Sequence, residues 1–172
     1  MDMQTILSRK GLQKRVTELA AEISRDYKGK NVLVLCVLKG AFIFCADLVR
    51  AMSIDADVDF IRLSSYGDKT FSSGKVEMSR DMETPVQNRH ILIVEDIVDT
   101  GYSMLFLKDF LKQRHALSVK ICALIDKHER RQVSLKVDYP GFVLQKGFLV
   151  GYGLDYAEKY RNLPEVCELI QH

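Results

Sequence analysis

Three continuous apolar runs, over residues 31–38, 90–94 and 119–125, constrain this chain most. They are rich in Val, Ile and Leu and lack the apolar–polar alternation of a half-exposed strand. A strand of this kind must be covered on both faces. Helical cover is available nearby. Leu12, Val16, Leu19, Ala20 and Ile23 recur at three- and four-residue steps and predict a helix over 8–27. Residues 41–52 are long and apolar enough for a second helix, and Met104, Leu107 and Leu111 carry the same period after the second run. Strands alternating with helices predict an α/β fold around a mostly parallel sheet. Weaker strand signals lie at 58–63, 76–79, 142–144 and 148–150. The Ser-, Gly- and Asp-rich residues 64–74 cannot sustain regular structure and are expected to form an exposed, mobile loop.

At 172 residues, 47% of them hydrophobic, the chain suits a single domain. A chain of this size buries roughly 70% of its unfolded surface, so it needs neither disulfides nor a structural metal. Its formal charge of +2 is too small for a bulk field that would attract nucleic acid or an anionic membrane, so any anion must be held locally. The longest apolar stretch, 31–48, is broken by Lys39-Gly40 and Asp47, which excludes a transmembrane helix there. The first residues lack the basic and apolar regions of a secretory signal, so a cytoplasmic location is expected. Cys36, Cys45, Cys122 and Cys167 form no C-x-x-C pair and are expected to be reduced packing residues. No repeat or Pro-rich linker divides the chain.

In an open parallel sheet, ligands bind beyond the carboxyl ends of the strands. The loops at Lys39-Gly40, 95–103 and Asp126-Lys127 would share that edge. The middle one holds three acids in five residues, Glu95, Asp96 and Asp99, followed by Thr100-Gly101-Tyr102-Ser103 at the start of a helix. Any one of Asp99, Thr100 and Ser103 is as well explained as a helix cap. The whole set is not. Amides from Asp99 to Ser103, with two hydroxyls, make a nest for a phosphate monoester, and Glu95 and Asp96 beside it suit a diol or a hard cation. Together they describe a ribose 5-phosphate.

On these residues the chain resembles the phosphoribosyltransferases, whose signature is an apolar strand, two acids and a Thr-Gly-x-Ser/Thr phosphate loop. The acid at Asp99 is similar to the 6-oxopurine branch, the hypoxanthine-guanine phosphoribosyltransferases. Leu38-Lys39-Gly40, Ser65-Tyr66-Gly67, Asp126-Lys127, the stretches 148–152 and 154–156, and Tyr160-Arg161-Asn162-Leu163 stand in the family's order.

The resemblance implies a type I phosphoribosyltransferase fold with a core over about 30–140. A hood would come from the N-terminal segment and about 141–172, and a mobile lid from 64–75. It implies transfer of a phosphoribosyl group from phosphoribosyl diphosphate to hypoxanthine or guanine, giving IMP or GMP. The family's roles then fall on Asp99 to Ser103 for the 5-phosphate and on Glu95 and Asp96 for the ribose hydroxyls and Mg²⁺. Lys39, Gly40 and Arg161 would hold diphosphate, with a cis peptide at Leu38–Lys39. Lys127, Phe148, Leu149 and Asp155 would surround the purine, Asp155 also as a second Mg²⁺ ligand. Asp99 would be the catalytic acid–base group at the purine N7. Ser65 and Tyr66 of the lid would shield the site. A homodimer or homotetramer is implied as well.

Two departures from relatives stand out, Tyr102 in place of lysine or a smaller residue, and Gly147 in place of lysine. Other classes fit worse. The P-loop pattern is missing, Gly151-Tyr152-Gly153 lacks a third glycine and a following helix, and the four histidines have no metal spacing. A regulatory protein that keeps the fold but binds nucleic acid or a partner without turnover is the remaining rival. The presence of Asp99, Lys127, Phe148 and Asp155 and the small net charge weigh against it.

Overall fold

The computed structural model describes residues 2–66 and 75–170. In chain order these form β1 (Asp2–Leu7), α1 (Arg9–Asp26), β2 (Val32–Leu38), α2 (Phe42–Ala51), β3 (Asp57–Tyr66), β4 (Lys75–Arg80), β5 (His90–Val98) and α3 (Tyr102–Gln113). There follow β6 (Ser118–Lys127), β7 (Tyr139–Leu144), β8 (Leu149–Val150) and β9 (Val166–Ile170). Six strands make the larger sheet in the order β4-β3-β2-β5-β6-β7. All its pairings are parallel except β3 with β4. From β2 the chain winds outward to β3, and from β5 it winds the other way through β6 to β7. The direction reverses between β2 and β5, the kind of place where an open α/β sheet leaves a crevice.

The apolar runs are continuous because each strand feeds two cores. Val32, Val34 and Cys36 of β2, with Leu92, Val94, Cys122 and Leu124, pack against Leu12, Val16, Leu19 and Ile23 of α1 and Phe44 and Leu48 of α2. The intervening Leu33, Leu35 and Val37, with Ile91, Ile93, Ile121 and Ala123, meet Met104, Leu107 and Leu111 of α3. Each buried aliphatic side chain contributes about 1.5–3 kcal/mol. Ser8 caps α1 by accepting from the Gly11 amide at 3.1 Å. Arg15 of the same helix donates to the carbonyls of Pro140 and Gly141, both at 2.7 Å, and so covers part of the edge strand β7. Pro140 suits an edge position.

The three helices stand where periodicity, or for α2 length and apolar content, puts them. Two strands run further than their composition suggests. β3 continues to Tyr66 because Ser64, Ser65 and Tyr66 pair with Glu77, Val76 and Lys75 of β4, so local Ser content is overridden by a backbone partner. β5 continues past Val94, with Glu95, Ile97 and Val98 still paired to Ala123, Ile125 and Asp126. This carries an acid into the sheet. Residues 67–74, most of the expected loop and lid, lie outside the described residues.

A second sheet, β1-β9-β8, joins the two ends of the chain, with Asp2 opposite Ile170 and Leu149 opposite Glu168. Neither β1 nor β9 carries a strong local signal, since their partners are more than 150 residues apart in sequence for β1 with β9. β7, which begins at Tyr139, belongs to the larger sheet, so the chain beyond 140 is shared between the two. The Tyr152 hydroxyl, just after β8, donates to Asp47 of α2 at 2.5 Å and fixes the smaller sheet's exit against the larger layer. No helix among the described residues is long and apolar enough to cross a membrane.

Where β7 passes β6, a Cβ on Gly141 would stand 2.5 Å from the Leu124 carbonyl oxygen. Gly141→Ala should therefore strain the parallel ladder by about 1–3 kcal/mol and lower the thermal midpoint by roughly 3–10 °C. A melting curve unchanged from the parent would show that the edge strand adjusts freely.

Candidate active site

Three loops meet beyond the carboxyl ends of β2, β5 and β6. Glu95 is buried by its place in the β5 ladder, and it accepts from the Asp96 amide at 3.0 Å. Burial pushes its carboxyl well above the ordinary carboxylate range, and the neighbouring Asp96 charge pushes it the same way. Asp96 accepts from the Ile97 amide at 2.7 Å. Its carboxylate occupies the space where a Cβ on residue 40 would lie, so only glycine lets the Lys39-Gly40 turn close over it. The Gly40 carbonyl oxygen in turn fills the space of a Cβ on Gly153. The Leu38–Lys39 peptide that opens this turn is cis.

Beside Glu95 lies a cleft of about 130 Å³ lined by Ile97, Val98, Asp99, Thr100, Gly101, Ser103 and Met104. Gly101 is the residue before α3, with φ +93°, a conformation that a side chain would oppose. No side chain caps the helix there. Its first amides are left for a ligand, and an anion is the natural one at a helix amino terminus. The capping account of Asp99, Thr100 and Ser103 does not hold at this end. Tyr102 opens the helix, so its backbone shares the cradle whatever its side chain. One oxygen of Asp99 lies 3.4 Å from the Arg130 guanidinium, and the other is buried without a partner.

Lys127, at the end of β6, is only 7% exposed, which removes the ordinary account of a solvated strand-end lysine. Its nearest acidic partner among the described residues, Glu129, is 3.9 Å away. Phe148 is the reverse case. As a core residue it would be buried, yet it is 49% exposed, with its ring edge-on to Tyr156 at 5.5 Å between centroids. Leu149 is fixed by pairing with Glu168. Gly147 has φ +117°, in the left-handed region that favours glycine, and a Cβ there would stand 2.9 Å from the Glu168 carboxylate.

Lys39 and Arg161 converge through Glu158, whose carboxylate lies 2.9 Å from the Lys39 ammonium and 3.3 Å from the Arg161 guanidinium. Lys39, then Arg161, hold the Glu158 carboxyl below its ordinary range. Arg161 also pairs with Asp155 at 3.1 Å and donates to the Gly153 carbonyl at 2.7 Å. Asp155 is thus engaged with arginine. Among the described residues no three of Asp, Glu, His and Cys gather as one metal cage, so Glu95, Asp96 and Asp155 do not form a ready-made triad. The side chains of Ser65 and Tyr66 are outside the described set.

Two participants escape sequence reading. Glu158 looks like any exposed acid until its two cationic partners are placed. Arg131, in the charged run His128-Glu129-Arg130-Arg131, reads as solvated, yet it pairs with buried Asp126 at 2.5 Å. Only the fold supplies those signals.

The Glu95 carboxyl gives a pH test. A group raised in the folded state adds stability below its unfolded value, near 4.3, and loses it as pH rises through the folded value. Glu95→Gln keeps the acceptor for the Asp96 amide and removes the ionisation. Without ligands its thermal midpoint should exceed the parent's at pH 8, with the gap closing as pH falls toward 4. A gap that ignored pH would refute the burial argument.

A phosphoribosyl transferase domain model matches residues 2–157. The chain is 45% identical over 166 residues to a hypoxanthine-guanine phosphoribosyltransferase of Streptococcus thermophilus, covering 96% of this chain and 92% of that one. To the Bacillus subtilis protein of the same name it is 44% identical, covering 95% and 91%. It is also 46% identical to the bifunctional protein TilS/HprT of Listeria innocua, but spans only 26% of that protein's length. A crystal structure of a hypoxanthine-guanine phosphoribosyltransferase from Bacillus anthracis superposes with a TM-score of 0.93 at 44% identity, covering 97% of this chain and 98% of that one. Similarity this even along the chain, in sequence and in fold, means that the protein belongs to the phosphoribosyltransferase family, in its hypoxanthine-guanine branch.

Proposed function

We propose that the chain transfers the 5-phosphoribosyl group of phosphoribosyl diphosphate to N9 of hypoxanthine or guanine, releasing diphosphate and IMP or GMP. The observation that carries this reading is the uncapped amino end of α3 directly after the Glu95-Asp96 pair. It offers amides to a phosphate and carboxylates to a ribose within one loop.

The 5-phosphate sits on the amides of Asp99 to Ser103, with the hydroxyls of Thr100 and Ser103 as further donors. Glu95 and Asp96 orient the ribose hydroxyls. Lys39 and Arg161 exchange Glu158 for the departing diphosphate and stabilise its charge, with the Gly40 turn beneath it. Phe148 stacks on the purine, Lys127 donates to the 6-oxo group, and the Leu149 backbone reads the ring edge. The N9–C1 bond of the nucleotide forms as the C1–O bond to diphosphate breaks, through a cationic sugar. The purine's positive charge falls to Asp99, which lines the cleft and accepts the N7 proton.

Oxygen donors with no Cys or His among them suit Mg²⁺, which takes one or two carboxylates, keeps waters and shares substrate phosphates. Glu95 and Asp96 would hold it, with Asp155 a further ligand only once it leaves Arg161, and it would supply charge stabilisation to the diphosphate. The β1-β9-β8 sheet, which presents Leu149 and leads to Asp155, serves as the hood over the base. The lid we assign to 64–75, with Ser65 and Tyr66 at its start. A homodimer or homotetramer is supported by an exposed apolar groove of about 400 Å³, lined by Phe42, Val49, Val58 and Phe60. A cytoplasmic location agrees with four free, buried cysteines.

The test is a spectrophotometric assay with phosphoribosyl diphosphate, Mg²⁺ and each purine in turn. Hypoxanthine and guanine should be consumed and chelation should abolish turnover, whereas turnover of adenine alone would reject the assignment. Asp99→Asn keeps the loop amide but cannot take a proton. It should still bind IMP while the chemical step slows at least ~10-fold. A variant as fast as the parent would remove Asp99 from the mechanism.

A further inference from the structure

Amides can face an anion only if the carbonyls of the same peptides face away and find donors of their own. In the phosphate loop those donors come from one short segment after β6. The Arg131 Nε donates to the Asp99 carbonyl at 2.9 Å, and its Nη2 reaches the Val98 carbonyl at 3.2 Å. The Gln132 amide donates to the Thr100 carbonyl at 3.0 Å. The next carbonyl, that of Gly101, is already taken by the Leu105 amide of α3 at 3.0 Å. Four successive carbonyls are thus held on the side away from the cleft.

The guanidinium is itself anchored. Its Nη2 lies 2.5 Å from Asp126, a buried carboxylate, and 3.1 Å from the Lys127 carbonyl, so the base-binding end of β6 and the phosphate loop share one side chain. His128 meets the other Asp126 oxygen at 3.1 Å. The segment presses on the loop, since a Cβ on Gly101 would stand 2.8 Å from Val133 and 3.3 Å from the Arg131 side chain.

We infer that Arg131 is a positioning residue for phosphate recognition, which holds the loop carbonyls back so that the amides of residues 99–103 point at the 5-phosphate. The inference rests on the function proposed above and adds a residue that touches no substrate. Lysine cannot replace it, because an ammonium keeps the charge opposite Asp126 but lacks the planar fork that serves several acceptors at once.

The test compares IMP with inosine, which differs only by lacking the phosphate, by titration calorimetry on the parent and on Arg131→Lys. The ratio of the two dissociation constants reads the phosphate contribution alone. In Arg131→Lys that ratio should shrink about tenfold or more, as expected for losing hydrogen bonds from a charged donor, and the KM for phosphoribosyl diphosphate should rise more than kcat falls. A general loosening of the fold would weaken IMP and inosine together, and that outcome, or an unchanged ratio, overturns the inference. If Arg131→Lys does not fold, Asp126→Asn decides. It leaves Arg131 its carbonyl acceptors but removes the anchoring charge, so the ratio should fall at least threefold, and an unchanged ratio overturns the inference. If the parent binds no IMP at all, the functional reading has failed, a result separate from any difference between the variants.

Discussion

The structure turns on a carboxylate placed inside the central sheet. Extension of β5 past Val94 keeps Glu95 in register with Ala123, and the backbone ladder buries it next to a second acid. Taking a charge out of water beside a like charge is among the costliest arrangements a fold can hold, and it raises the carboxyl well above its usual range. It persists because the strand around it is covered on both faces by α1, α2 and α3, so no relaxation of β5 alone can return Glu95 to water. A cation or sugar hydroxyl brought to that edge relieves a tension already present.

Close approach then gathers the rest. Gly40 lies against the Asp96 carboxylate and Gly153 against the Gly40 carbonyl, so the turn after β2, the Asp96 side chain of β5 and the stretch after β8 meet at close range. Tyr152 bonded to Asp47 keeps the last of these in place. Packing at this distance is stiff, and it sets the spacing between the Lys39-Gly40 turn and the loop before α3 without any residue dedicated to the purpose.

Much of this was legible in the residues alone. Unalternating runs implied strands buried on both faces, and they are. The cluster Glu95, Asp96, Asp99 to Ser103 stands out because polar residues at the end of such a run have no packing purpose, and Glu95, Asp99, Thr100, Gly101 and Ser103 of it line one cleft. The smaller sheet was less legible. β1 and β9 are short, and the evidence for each is the other, at the opposite end of the chain. The end of β5 was misjudged for the opposite reason, because acids read as a strand exit while the β6 ladder continues beneath them. Side-chain partnerships were illegible altogether. Arg131 and Glu158 differ from ordinary surface charges only in what the fold brings to them.

Those partnerships show how a chain of net charge +2 would accommodate the polyanion proposed for it. The cations of the site are not free. Lys39 and Arg161 share Glu158, Arg161 also holds Asp155, and Arg130 faces Asp99. Pairs with a largely exposed partner, such as those to Glu158, contribute little, so giving one up for a ligand phosphate would be a small loss. Arg131 and Asp126 differ, since both are largely buried, and separating such a pair strands a charge. The site therefore divides its ion pairs by exposure. In the proposed reaction the exposed ones would exchange a carboxylate for the ligand anion, while the buried one would stay closed and keep the loop in shape.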